Sequence, residues 1–71
     1  MENLTATKRY ADLMMRAKDY RQHAVDFRER ADDADSADAR EKYLRLAHEH
    51  ETLAERAEHL AKDRLSSQPT S

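Results

Sequence analysis

The residues with the most obvious capacity for chemistry are four histidines, His23, His48, His50 and His59, two of them in the run His48-Glu49-His50-Glu51. Imidazole ligates metals in its neutral form and titrates close to neutral pH. Spacing decides whether these side chains can act together. Residues two apart on a helix point in nearly opposite directions, so His48 and His50 cannot share an ion within one helix. The zinc-hydrolase pattern needs a second histidine four residues after the first, where Thr52 stands. The di-iron pattern needs Glu three residues before a histidine, and none of the four has it. The expectation is therefore no metal and no cofactor. His50 alone falls at a core position of the helical repeat described below. There it could serve as a pH switch, but the reading adopted is a packed histidine bonded to Tyr20 or to a facing carboxylate, or one that sets pairing register.

Carboxylates give no better case for catalysis. Asp32-Asp33 is the conspicuous acidic pair, and it lies in an acidic turn with no concavity around it. General acid–base work needs a water-excluding cleft. Asp12–Arg16, Asp26–Arg30 and Glu55–His59 are spaced by four and should form surface pairs worth a few tenths of a kcal/mol each (about 0.2–0.5). No serine stands in a triad setting and cysteine is absent, so neither an enzyme nor a small-molecule substrate is expected.

A nucleic-acid-associated factor would use Lys8, Arg9, Arg16, Lys18, Arg21, Arg28 and Arg30. These bases are spread around the first half of the chain and do not form one stripe, and the net charge is −2. Nucleic acid is a weak alternative, as is a histidine-based metal or pH sensor. No uncharged run approaches a membrane span, so no membrane partner is expected and the expected location is the cytoplasm.

The elements that would hold these residues are helices. The chain has 71 residues, no glycine and one proline, Pro69, and 39% of it is charged. That composition lacks the turn residues of a β fold and matches the palette of long helices. Ala6, Tyr10, Leu13, Ala17, Tyr20, Ala24, Phe27, Ala31 and Ala34 alternate steps of four and three, which keeps one stripe on one face. The rhythm returns through Ala39, Tyr43, Leu46, His50, Leu53, Ala57 and Leu60. A Leu-Ala doublet recurs every seven residues at Leu46-Ala47, Leu53-Ala54 and Leu60-Ala61, giving a leucine stripe beside an alanine stripe. Asp32 to Asp38 interrupts the pattern, with Ser36, or Asp35 in its stead, suited to cap a new helix and Asp38 and Glu41 adding negative charge at its start.

The expected fold is all-α: an antiparallel two-helix hairpin over 1–65, with helices at about 5–33 and 37–65, a turn at about 34–36, and a disordered tail at 66–71. Met1 to Asn3 should fray. Reflection about the turn sets Ala24 near Ala47, Ala17 near Ala54 and Tyr10 near Ala61. It brings Phe27 to Tyr43 and Leu44, Tyr20 to His50 and Leu53, and Leu13 to Ala57. Ala17, Ala24, Ala47 and Ala54 form the hairpin seam, where small residues allow close axes. Leu13, Tyr20, Phe27, Leu46, Leu53 and Leu60 are left as one apolar face, with Met14 and Met15 beside it as a possible adaptable surface. A lone core of this size is marginal and there are no disulfides. The expected partner is protein: a second copy completing a four-helix bundle as a homodimer, or a larger protein on which the hairpin docks as an accessory or regulatory subunit.

Tyr20-Arg-Gln-His-Ala, Phe27-Arg-Glu-Arg-Ala, Ala39-Arg-Glu-Lys-Tyr-Leu-Arg-Leu-Ala and Leu53-Ala-Glu-Arg-Ala-Glu together resemble a group of short helical-hairpin proteins of alphaproteobacteria. The resemblance runs from Tyr20 to Glu58 and implies a bacterial, cytoplasmic hairpin with no activity attached. Many of that group carry Asp-Pro at the start of the second helix, where Ser36-Ala37 stands here, which implies a slightly looser turn.

Overall fold

In a computed structural model, residues 2–66 are described, with side chains described over 8–63. Two helices account for nearly all of them: α1, Glu2–Asp32, and α2, Ala37–Ser66. They pack against each other along their length, and no strand occurs among the described residues. The molecule measures 57 × 14 × 9 Å across its Cα positions, one layer of two helices. Helix starts at Glu2, so the described part of the expected fraying segment is helical. Ser66 closes α2, and the rest of the expected tail, 67–71, lies outside the described residues.

The connection from Asp33 to Ser36 shows how a chain without glycine reverses direction. No described residue has positive φ, so α1 does not end in a left-handed cap. It ends by tightening instead: Asp33 N–H still reaches Glu29 C=O at 3.2 Å, and Ala34 N–H reaches Ala31 C=O, one residue nearer than an α-helical bond, at 3.2 Å. The start of α2 is conventional. Ser36 Oγ accepts from Ala39 N–H at 3.1 Å, and Ser36 C=O accepts from Arg40 N–H at 3.0 Å, so Ser36 is the N-cap. Asp38 in the first turn of α2 and Arg30 in the last turn of α1 complement the helix dipoles.

Among the described side chains, every buried residue of the seam is an alanine. Ala17, Ala24 and Ala31 on α1 meet Ala47, Ala54, Ala57 and Ala61 on α2, none more than 6% exposed. At the centre Ala17, Ala54 and Ala57 pack together, with Tyr20 against them. Ala17 therefore lies beside Ala54, the pairing that reflection about the turn predicts. No large side chain is fully buried among the described residues. The seam is built by bringing backbones close, not by filling space between them.

Two outcomes follow. Ala54→Leu inserts a branched side chain where the backbones touch and should destabilise the hairpin by about 1–3 kcal/mol in thermal melts. Ser36→Ala removes one cap acceptor and should cost about 1 kcal/mol, a fall in Tm of roughly 4–8 °C, with helix content below the transition unchanged.

Candidate functional site: the uncovered apolar face

The alanine lines divide the hairpin into two unlike sides. On α1, Arg21 and Arg28 stand four residues after Ala17 and Ala24, while Tyr20 and Phe27 stand three after them. Those offsets rotate to opposite sides of the seam, by about 40° one way and 60° the other at 3.6 residues per turn. On α2, Glu51 and Glu58 stand four after Ala47 and Ala54, and His50 and Ala57 three after them. Leu46, Leu53 and Leu60 immediately precede Ala47, Ala54 and Ala61, which turns them further toward the side of His50.

One side is charged. The Arg21 guanidinium grips the Glu58 carboxylate with both of its terminal nitrogens, and Arg28 pairs with Glu51 one heptad away. The hydrogen bond from Arg21, then its charge and that of Lys62, hold the Glu58 carboxyl below the usual carboxylate range against a smaller opposing effect of desolvation. The same hydrogen bond raises the Arg21 guanidinium further above its ordinary value. Val25 lines the furrow beside these pairs with Arg21, Ala24, Arg28, Glu51 and Glu55. Leu44 rotates to this side as well and does not face Phe27 as expected; it is largely exposed.

The other side is aromatic and aliphatic. The Phe27 ring stacks on Tyr43 with centroids 6.3 Å apart and lies 5.0 Å from the His50 ring. Tyr20 meets His50 edge-on at 6.2 Å, and His23 does so at 5.7 Å. Arg30 lies over the outer face of Phe27, 5.7 Å from its centroid. Leu13, Tyr20, Phe27 and Leu46 are half-buried, and the strip opens along α2, where Leu53 is 37% and Leu60 50% exposed. Met14 is half-buried and Met15, the most exposed large apolar residue among those described, is 67% accessible on the outer surface of α1. The surface depressions are open furrows with little enclosure.

The partners expected for His50 and for the surface pairs both change. His50 does not bond Tyr20 or a carboxylate: its Nδ1–H donates to the Leu46 carbonyl one turn earlier, at 2.8 Å, and Tyr20 contributes only a ring edge. Among the described residues, Asp12–Arg16, Asp26–Arg30 and Glu55–His59 do not close. Asp26 accepts instead from Gln22 Nε2 at 3.2 Å, and His59 approaches Asp63 at 3.8 Å. The inter-helix pairs Arg21–Glu58 and Arg28–Glu51 take their place, and the sequence signal for them was present: on each helix the partners are seven apart. Those pairs also engage two of the seven bases that a nucleic-acid surface on α1 would need.

Among the described residues, no three His, Asp or Glu side chains come together as a metal-binding group, and no helix is long and apolar enough to cross a membrane. Compared with known protein families, with curated proteins and with solved structures, the chain matches none.

The Arg21–Glu58 bridge makes acid stability testable. A carboxyl held below its ordinary value of 4.5 adds stability that is complete above that value and disappears as pH falls through the lower, folded one. Tm should be level around neutrality with respect to this group and fall in acid below about pH 4.5. The Glu58→Gln variant should start lower at neutral pH and lose less on acidification, so that the two melting curves converge.

Proposed function

We propose that this chain is a small helical protein–protein interaction module with no catalytic role, which works by having its apolar side covered by other helices. One observation carries the reading: among the residues whose side chains are described, the hairpin buries only alanine, while Leu13, Tyr20, Phe27, Leu46, Leu53 and Leu60 run along one side, opposite the ion pairs. A contiguous apolar strip on a small charged protein is the usual mark of an interface. The entropy of ordering two long helices is hard to offset with alanine methyls alone, which favours a folded state that gains further burial from a partner. The partner is either a second copy, completing a four-helix bundle, or a larger protein to which the hairpin adds as an accessory or regulatory subunit.

Leu53→Asp tests this reading. Position 53 is outside the alanine seam, so the isolated hairpin keeps its helix content while the strip gains a charge that would have to be desolvated on contact. Light scattering, with mass measurement of intact complexes purified from the native cell, should show the wild type in an assembly and the variant shifted to smaller species. A folded wild-type monomer, together with a Leu53→Asp variant unchanged in folding and in every complex recovered, would sink the proposal.

A further inference from the structure

Resting on that reading, we infer that the occupant of the apolar face is a second copy of this chain, laid antiparallel so that α2 packs on α2 about a twofold axis at Leu53. The argument comes from the charges that border the leucines. Lys42, Glu49, Arg56 and Asp63 are spaced by seven, all exposed, and each of the first three stands four residues before Leu46, Leu53 or Leu60. They form one line along the outer edge of the leucine strip, on the side away from the alanine seam. Their signs alternate: positive, negative, positive, negative.

A row of alternating charge at constant spacing can complement its own reversed copy. A twofold axis at Leu53 sets Leu53 on Leu53 and Leu46 on Leu60 of the other copy. It also brings Lys42 level with Asp63 and Glu49 level with Arg56, each to within about one residue, roughly 1.5 Å of helix axis. Each pair occurs twice by symmetry, as an isologous contact demands. A parallel copy in register sets every charge beside its own kind. Shifting that copy by one heptad restores the signs but leaves a leucine of each chain without a counterpart.

The remaining pairing, α2 on α1 of the other copy, is poorer. The line of α1 that corresponds to Leu46, Leu53 and Leu60 carries Arg9, Arg16, His23 and Arg30, spaced by seven, and the edge beyond it carries Asp12, Asp19 and Asp26, all acidic. Helix α1 therefore offers the α2 leucines no leucine row in return, and its outer edge matches only Lys42 and Arg56 of the α2 row. The bases standing in place of leucines disfavour broad contact of α1 with α1, which centres the dimer on α2, where Leu53 and Leu60 are most exposed. Asp63 has His59 as a neighbour at 3.8 Å, a weak contact charged only when that histidine is protonated, and it keeps its acceptors for Lys42. Exposed pairs of this kind add little affinity singly, and their effect is to fix orientation and register.

Charge exchange supplies the test. Sedimentation equilibrium at low salt should show the wild type as a dimer. Glu49→Arg and Arg56→Glu each turn two symmetric attractions into repulsions and should weaken dimerisation by on the order of tenfold or more. The double variant Glu49→Arg/Arg56→Glu should recover it. An equimolar mixture of the two single variants should also recover it as a heterodimer, because each copy then presents one sign at both positions. Circular dichroism checks that each variant stays helical. Recovery in the mixture supports the antiparallel α2 contact. A wild type that remains monomeric to millimolar concentration overturns the second copy as occupant, and a dimer indifferent to all four charge arrangements overturns this register. Neither result removes the docking reading, which falls only if Leu53→Asp leaves every complex unchanged.

Discussion

Alanine against alanine, with the backbones close, is the constraint from which the rest of this molecule follows. Among the residues whose side chains are described, seven alanines make up the buried seam. A methyl group fills little space, so the helix axes must approach to make contact at all. That approach leaves no room between the helices for the larger side chains, which are displaced to one side or the other. The contact contributes only about 0.8 kcal/mol per buried methyl-sized group, so it defines geometry more than it supplies stability. The division into a charged side and an apolar side is thus a result of what the seam cannot hold.

The two sides stabilise differently. Arg21–Glu58 and Arg28–Glu51 tie α1 to α2 at the water-exposed surface, where screening by solvent and salt limits their contribution. Across the seam, Tyr20, Phe27, Tyr43 and His50 form a chain of ring contacts that is half-buried and continues outward into the leucines. His50 contributes here as a flat, locally satisfied side chain: with Nδ1–H on the Leu46 carbonyl, it presents its ring to the aromatics without requiring a partner on the other helix.

Local features were the most legible in the sequence. The helix cap, the alanine lines and the position of the turn all depend on residues within one or two helical turns, and simple rules recover them, the cap as a choice between Ser36 and Asp35 that the structure resolves in favour of Ser36. What spacing missed were choices among several nearby partners. Asp26 had Arg30 one turn later but bonds Gln22 one turn earlier. His50 had Tyr20 across the seam but took a backbone carbonyl already at hand. The cross-helix ion pairs depend on which side of the seam an arginine emerges, a matter of tens of degrees of rotation that a helical repeat alone does not resolve. Leu44 was assigned to Phe27 for the same reason and belongs to the opposite side.

The alanine repeat also has a consequence for sliding. Ala17, Ala24 and Ala31 are equally spaced, as are Ala47, Ala54 and Ala61, and nearly identical in burial. A surface that repeats every seven residues looks the same after a shift of seven, so the seam behaves as a ruler with graduations and no zero. The zero is set at one end only, by the short link from Asp33 to Ser36, which is too tight to accommodate a slip of about 10 Å. A chain with that link lengthened would retain both helices and every kind of contact, yet would lose its single alignment and sample several.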